Sequence, residues 1–225
     1  MNTKSIQQRK VRQWIMLVPS LVVIALGWKY PLLGFWVLVV MTVGIVGGML
    51  KGRWVCGNLC PRGCLFDRMV AGLSRNRPMP GIIRRFGLRW FLWPLMFGFM
   101  IWYVAQAPTE VNQWGRAMWI MCAATTLIGG VFGLLYNPRM WCVICPIGNL
   151  AYATGGTKCA LVVDDGKCRN CTTCEKKCPM QVPVTEYREN VAIVDSRCIQ
   201  CGVCSDYCPH SAIGCKNKEK ERMAS

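Results

Sequence analysis

The chain carries sixteen cysteines among its 225 residues, and eight of them lie in two copies of one pattern, thirty residues apart. The pattern is C-x2-C-x2-C-x3-C-P. Three closely spaced thiolates can bind three irons of one 4Fe-4S cubane, while the fourth cysteine, which precedes a proline, ligates the other cubane. The spacing therefore predicts two 4Fe-4S clusters. The predicted ligands are Cys168, Cys171, Cys174 and Cys208 for cluster 1, and Cys198, Cys201, Cys204 and Cys178 for cluster 2.

Structural zinc and disulfides are the alternatives for these eight cysteines. Structural zinc takes one set of four ligands, usually as two pairs, so a duplicated triplet exceeds what it needs. Disulfides require an oxidising compartment, and the topology predicted below places this region on the reducing side of a membrane. Both alternatives stay open, and the two-cluster interpretation fits the spacing better.

Two shorter cysteine loops lie earlier in the chain, each ending in Cys-Pro. Their cysteines, called the loop site below, are Cys56 and Cys60 in a C-x3-C-P loop and Cys142 and Cys145 in a C-x2-C-P loop. Four thiolates suit an iron-sulfur cluster, a structural metal or a redox dithiol pair. We expect a third iron-sulfur cluster here.

Four further cysteines have no partner in either repeat. We interpret Cys64 as a non-ligand and Cys122, in the middle of an apolar segment, as a small packing residue. Roles are not assigned to Cys159 and Cys215.

Several other kinds of chemistry are excluded or unsupported. His210 is the single histidine, so a haem held by two histidines is excluded. No P-loop and no G-x-G-x-x-G fingerprint occurs, so nucleotide and flavin binding are unsupported. No carboxylate pair or nucleophile-base pair is visible, so chemistry beyond electron transfer would need a partner or a quinone near the Cys-Pro loops.

The elements that position these cysteines differ sharply in composition. The chain is 53% hydrophobic and yet carries a formal charge of +16. The apolar residues concentrate before position 137, and the cysteine-rich remainder is polar. We therefore predict a membrane domain over residues 1–150 and a ferredoxin domain over residues 151–225, with a flexible linker at 153–157 and a charged tail.

Four apolar segments are long enough, or nearly long enough, to cross a bilayer: residues 11–28, 31–50, 90–107 and 117–136. A cleaved secretory signal is the alternative for the first segment. The N-terminus has four basic residues and the loop at 51–89 has nine, against one in each other loop. The positive-inside rule then places both termini, both Cys-Pro loops and the ferredoxin domain in the cytoplasm, on the inner membrane. Anionic lipid is a better partner for the basic loop than nucleic acid.

The membrane portion contains its own repeat. A shift of 85 residues superposes the glycines at 44 and 48 and the Cys-Pro-x-Gly of the first loop on their counterparts in the second. This predicts two parallel hairpin repeats about an axis normal to the membrane. We expect spans two and four to pack through those glycines, which would bring both Cys-Pro loops together.

The double cysteine pattern resembles bacterial-type ferredoxins with two 4Fe-4S clusters, which implies a small βαβ domain with pseudo-twofold symmetry. With the four spans and the Cys-Pro loops, nearly the whole chain resembles the NapH/MauN-type membrane ferredoxins, whose membrane module is related to those of NosR and CcoG. The second loop departs from that family's usual three-residue spacing. The resemblance implies an electron-transfer subunit, a component of a quinol dehydrogenase system, between a quinone pool and a partner redox protein. A reductive assembly factor like CcoG and a structural thiolate-metal membrane protein are the alternatives.

Overall fold

The computed structural model describes residues 3–81, 86–106, 109–155, 158, 160–188 and 192–215, and it leaves the side chains of residues 86–93 undescribed. In chain order the helices are α1 (Thr3–Leu26), α2 (Phe35–Lys51), α3 (Trp54–Asn58), α4 (Pro61–Leu65), α5 (Phe86–Ala105), α6 (Val111–Leu135), α7 (Met140–Ile144), α8 (Pro146–Gly155), α9 (Thr173–Lys176) and α10 (Val203–Tyr207). The strands are β1 (Leu161–Val163) and β2 (Ile213–Cys215). Turns of 3-10 helix occupy Pro31–Gly34 and Val184–Tyr187, and a π-helical turn, Phe66–Val70, continues α4.

Long helices α1, α2, α5 and α6 lie at the four predicted spans. Within the described residues, two helices are long and apolar enough to cross a membrane, Pro31–Lys51 and Val111–Leu135. Their apolar side chains are widely exposed, as in Val39 at 50% and Leu127 at 72%, which suits contact with lipid rather than water. Membrane crossing stays a prediction for all four segments, and residue 107 lies outside the described residues.

The glycines of span two do not pack against span four, so that expectation is wrong. At Gly44 an added Cβ would lie 2.9 Å from Ile147, and at Gly48 it would lie 2.6 Å from Ala151. Both contacts belong to α8, the helix that follows the second Cys-Pro loop. The glycine face of α2, in the first repeat, therefore packs against α8, which follows the Cys-Pro loop of the second repeat.

The glycines of span four make the mirrored contact. A Cβ at Gly129 would lie 2.8 Å from the ring of Phe66, and one at Gly133 would lie 2.9 Å from Val70. These side chains belong to the π-helical turn after the first Cys-Pro loop. In each repeat, the glycine-containing helix thus packs against the segment that follows the Cys-Pro loop of the other repeat. This reciprocal packing, called the exchange of segments below, brings the two loops together.

The two hairpins touch directly at the opposite ends of their helices. A side chain on Gly34 would collide with the backbone of Gly115, and a side chain on Gly115 would collide with the backbone of Pro31. Gly27, just after α1, leaves room for the ring of Trp119, whose Nε1 donates to the carbonyl of Val23 at 3.0 Å. Small residues at such crossings let helices approach within van der Waals distance.

The predicted flexible linker is wrong where it is described. Residues 153–155 form the last turn of α8, and residues 156–157 lie outside the described residues. Gly155 is buried at the C-terminal end of α2, where a Cβ would lie 2.6 Å from the Cα of Gly52. Gly52 ends α2 with a positive φ of 62°, which glycine adopts without strain. The domain division at residues 150 and 151 stays a prediction, and that boundary lies inside α8.

The ferredoxin region, residues 160–215, shows its duplication in the backbone. Strands β1 and β2 pair antiparallel and join the two ends of the region. Helices α9 and α10 start thirty residues apart. Positive φ angles also recur at that offset, in the pairs Asn170 (53°) and Gln200 (51°), Thr172 (56°) and Gly202 (78°), and Gln181 (52°) and Ser211 (49°). Such conformations are costly for side-chain-bearing residues, so their repetition indicates two loops shaped for the same purpose.

Candidate metal centres

Proline fixes the backbone of the cysteine that precedes it. Cys60, Cys145 and Cys208 have ψ angles of 114°, 124° and 117°. Steric contact with the proline ring disfavours the helical region for the preceding residue and selects this extended conformation. Each of these cysteines therefore lies where a helical segment ends.

The structure places the four predicted ligands of cluster 1 around one cavity. These are Cys168, Cys171, Cys174 and Cys208, and the last comes from the second copy of the pattern, as the crossed assignment predicts. Thr172, in the left-handed conformation, lies on the same wall. Cys171 and His210 are exposed, so this cavity lies at the molecular surface.

The predicted ligands of cluster 2 form a second group within and against the same apolar core. Burial raises the pKa of Cys204 well above its usual value, and Cys201, Cys198 and Cys178 raise it further because they lie within electrostatic range. Burial likewise raises the pKa of Cys198 to about 12. Burial and mutual repulsion thus disfavour the thiolate form of this group, and a bound metal would offset the charge of the thiolates.

Backbone N–H groups point at the fourth cysteine of each pattern. The amide of Val182 donates to Cys178 Sγ at 3.5 Å, and the amide of Ala212 donates to Cys208 Sγ at 3.3 Å. The two donors are again thirty residues apart. Hydrogen bonds to cluster sulfurs are one of the factors that set the reduction potential.

The four loop-site cysteines also come together. Burial raises the pKa of Cys56 to about 12, and Cys60, Cys145 and Cys142 contribute to the rise. Burial raises the pKa of Cys60 as well, with Cys142 as the next cause. The two Cys-Pro loops are therefore joined at one place.

Two arginines connect the loops, each by a hydrogen bond to the backbone of the other loop. Arg53 donates through Nη2 to the carbonyl of Cys142 at 2.6 Å, and Arg139 donates through Nη1 to the carbonyl of Cys56 at 3.1 Å. Each arginine precedes the first cysteine of its own loop by three residues and contacts the other loop. Sequence reasoning missed this pair, although an arginine at the same place in both repeats was a signal.

Glycines in the Cys-Pro-x-Gly motifs make room for these arginines. A Cβ at Gly148 would lie 2.7 Å from Nη2 of Arg53, and one at Gly63 would lie 3.0 Å from Cζ of Arg139. The sequence alone did not explain why both loops contain this glycine. In the structure, the missing side chain leaves space for the arginine of the other repeat.

The loop site fits an anionic cluster. Four thiolates outweigh the charge of a cubane core, so the assembled group needs nearby cations. Arg53, Arg62 and Arg139 supply them, and all three contact or adjoin the loop cysteines. Within the described residues, the buried Nε of Arg53 has no hydrogen-bond partner, so its N–H is free to donate to a bound anion. The residues present therefore fit an iron-sulfur cluster.

The described residues contain no group of three or more His, Cys, Asp or Glu side chains spaced to hold a single metal ion. A cubane spreads its ligands over different irons, so its cysteines do not converge on one point. Nor do the described cysteines form disulfides. Of the unassigned cysteines, Cys64 is buried in α4 and Cys215 is in β2, while Cys159 lies outside the described residues.

The loop site borders cluster 2 rather than cluster 1. Gly57 lies against the ferredoxin region, where an added Cβ would be 2.9 Å from the Cβ of Cys201. Arg53, which contacts Cys142, also donates to the carbonyl of Ser196. Cys142 itself packs against the apolar core that holds Cys198. The order in space is loop site, cluster 2, cluster 1.

Comparisons with known proteins agree with this assignment at the level of domains. Residues 167–213 match the family described as a 4Fe-4S dicluster domain, and residues 33–80, which include the first Cys-Pro loop, match a 4Fe-4S binding domain. The chain is 26% identical over 196 residues to an uncharacterized protein of Methanocaldococcus jannaschii, covering 79% of this chain and 76% of that protein. No solved structure gives a significant match. The chain is an iron-sulfur protein with two regions of 4Fe-4S ferredoxin type.

Proposed function

We propose that the protein is a membrane-anchored electron-transfer protein that links a quinone pool, or another membrane redox partner, to a second redox protein. The observation that carries this proposal is the contact between the loop site and cluster 2, through Gly57 and Arg53. Electrons arriving at the membrane surface would have a short path into the ferredoxin region, because Gly57 of the first loop lies directly against Cys201.

The proposal includes the finer features of the NapH/MauN type. All four long helices would span the inner membrane, with both termini and the three centres on the cytoplasmic side. Two supporting observations are the apolar helices Pro31–Lys51 and Val111–Leu135 and the basic surroundings of the first Cys-Pro loop. In this setting the basic residues would face anionic lipid headgroups.

Counting iron and acid-labile sulfide in the purified protein tests the number of clusters. Three cubanes correspond to about twelve irons per chain and two cubanes to about eight. Replacing Cys142 with Ala should lower a count of about twelve to about eight, while the matched replacement Cys122→Ala should leave it unchanged. A wild-type count near eight would remove the third cluster.

Reduction by a quinol analogue, followed by EPR, tests whether quinol can donate electrons to the clusters. We expect signals of reduced cubanes to appear in the wild type and to be lost in the Cys142→Ala variant, although its ferredoxin clusters remain. Cubanes that stay oxidised with quinol but, once reduced with dithionite, pass electrons to a metal acceptor would favour the assembly factor instead. A protein that shows no cubane signal even with dithionite would leave only the structural thiolate-metal alternative.

A further inference from the structure

A cavity of about 480 Å³ lies inside the helical region, directly against the loop site. Helices α1, α2, α5 and α6 form its apolar walls, and Cys56, Cys60 and Cys145 lie at its floor. Val39 and Val43 of α2 line the cavity and are about half exposed. The cavity is partly open rather than enclosed, and it lies among the apolar helices that lipid would cover.

One cationic side chain enters this apolar space. Arg62 lines the cavity, donates through Nη1 to Thr125 Oγ1 at 2.6 Å and lies over the ring of Trp141 at 5.4 Å. Its Nη2 is 4.0 Å from Cys145 Sγ. Among the ion pairs of the described residues, none involves Arg62, since Asp67 pairs with Arg9 and Arg139 instead.

Arg62 also breaks the symmetry of the two repeats. The shift of 85 residues places Ile147 at the equivalent position, and Ile147 lines the same cavity. Beside the cysteines, the first loop therefore contributes a guanidinium to the cavity where the second loop contributes an aliphatic side chain. A guanidinium has five N–H donors in a fixed fork, and the hydroxyl of Thr125 accepts from one of them.

We propose that Arg62 receives the polar head of a quinone in this cavity, with an N–H of the guanidinium donating to a quinone carbonyl oxygen. The quinone ring then lies between the apolar walls beside the loop site, and its tail leaves past Val39 and Val43 into the bilayer. This inference rests on the proposed function and names the residue that positions its membrane ligand.

The chemistry of the cavity selects this occupant over a lipid tail or headgroup. Two of the five guanidinium N–H groups of Arg62 are directed at Thr125 Oγ1 and Cys145 Sγ, and a hydrocarbon chain would offer no acceptor to the others. A phospholipid head would bring a full charge and its hydration into a space whose walls are almost entirely apolar. A quinone carbonyl supplies an acceptor on a flat neutral ring, which matches a pocket with many apolar groups and few polar ones.

The test uses the full-length, cluster-loaded protein in lipid nanodiscs, titrated with a short-tailed quinone analogue. Binding is followed by quenching of tryptophan fluorescence, corrected with empty nanodiscs. Arg62→Met should raise the Kd by about tenfold or more, as expected for losing a hydrogen bond to a charged group. Leu127→Ile, on the exposed face of α6 and outside the cavity lining, should change the Kd by less than about twofold because it keeps the side-chain volume.

A second variant keeps the test decisive if Arg62→Met fails to hold its clusters. Arg62→Lys keeps the positive charge and loses the fork, so we expect intact EPR signals and a Kd between those of the wild type and Arg62→Met. A Kd that stays within about twofold of the wild type in cluster-loaded Arg62 variants would overturn the inference. Insensitivity of this kind would indicate an occupant held by its tail alone.

Failure of the inference and failure of the proposed function give different results. If quinol reduces the wild-type clusters but the Kd ignores Arg62, electron transfer stands and the assigned site is wrong. If the analogue binds in a manner that depends on Arg62 while quinol leaves the clusters oxidised, the site stands and quinol is not the electron donor.

Discussion

Asp67 joins the N-terminal helix to the loop site. Arg139 forms two hydrogen bonds with its carboxylate, both at 2.7 Å, and Gln13 of α1 donates to it at 2.6 Å. Burial by itself would raise the pKa of Asp67, but the charge and hydrogen bonds of Arg139, with help from Arg9, hold the pKa below its usual value. Because Arg139 also contacts Cys56 and Cys142, the position of Asp67 is transmitted to the cysteines.

Replacing Asp67 with Asn should lower the free energy of unfolding by about 3 kcal/mol, since it leaves the buried guanidinium of Arg139 without its counter-charge. Thermal unfolding in detergent measures the loss. Asp165→Asn is the control, because Asp165 is 52% exposed and its pairing with Arg188 should contribute less than about 1 kcal/mol. Equal shifts in the two variants would show that the Asp67 network does not stabilise the fold.

The stability contributed by Asp67 should also depend on pH. Its pKa is lowered in the folded protein, so the contribution is fully present above the unfolded value of about 3.9 and is lost as the pH falls through the folded value. We expect the difference in unfolding temperature between the wild type and Asp67→Asn to be constant from neutral pH down to about pH 5 and to shrink below about pH 4. A difference that vanished already near neutral pH would contradict the ion pair.

At the scale of elements, glycines mark the places where the repeats exchange segments. Gly155 lies against the backbone of α2, so Gly155→Ala would force Gly52 and its neighbours apart. We expect a loss of several kcal/mol and release of the α2–α8 contact, seen as faster proteolysis after residue 155. Gly130→Ala is the matched control, since a Cβ there meets nothing within 4 Å and should stabilise α6 by up to about 1 kcal/mol.

The sequence allowed the helices and the cysteine groups to be predicted, because apolar runs and cysteine spacing are local signals. The position of Cys208 beside the first cysteine triplet was also predictable, since the pattern is duplicated. The exchange of segments between repeats was not predictable, because a glycine indicates that another element packs closely but does not indicate which element it is. Arg53 and Arg139 were overlooked for a related reason: in a basic loop, an arginine that locks the fold has the same local surroundings as one that faces lipid.

At the scale of the whole molecule, the three sites differ in their exposure. The loop site is enclosed by the helices, and cluster 2 lies between the apolar core and α3, where Gly57 contacts it. Cluster 1 lies beside the surface, with Cys171 exposed. In the proposed function, an electron from the membrane side would leave from the cluster 1 side, where a redox partner would have access.

This order predicts how the clusters are lost under oxidation with a chelator. Cluster 1 should decay first, because solvent reaches Cys171, and a hydrogen bond from the Thr173 hydroxyl lowers the pKa of that thiol, so it reacts quickly once freed. Burial raises the pKa of Cys204 and slows both release and reaction in cluster 2. EPR follows the loss of clusters, and alkylation at pH 7.5 with peptide mapping identifies the cysteines set free.

The four ligands of cluster 1 should become alkylated together, well before those of cluster 2 and the loop site. Joint release would itself test the crossed assignment, because Cys208 should react with the first group and Cys178 with the second. The buried Cys64 is the internal control, since its alkylation would report unfolding rather than cluster loss. If Cys178 reacted with Cys168, Cys171 and Cys174, each pattern would hold its own cluster and the crossed arrangement would be wrong.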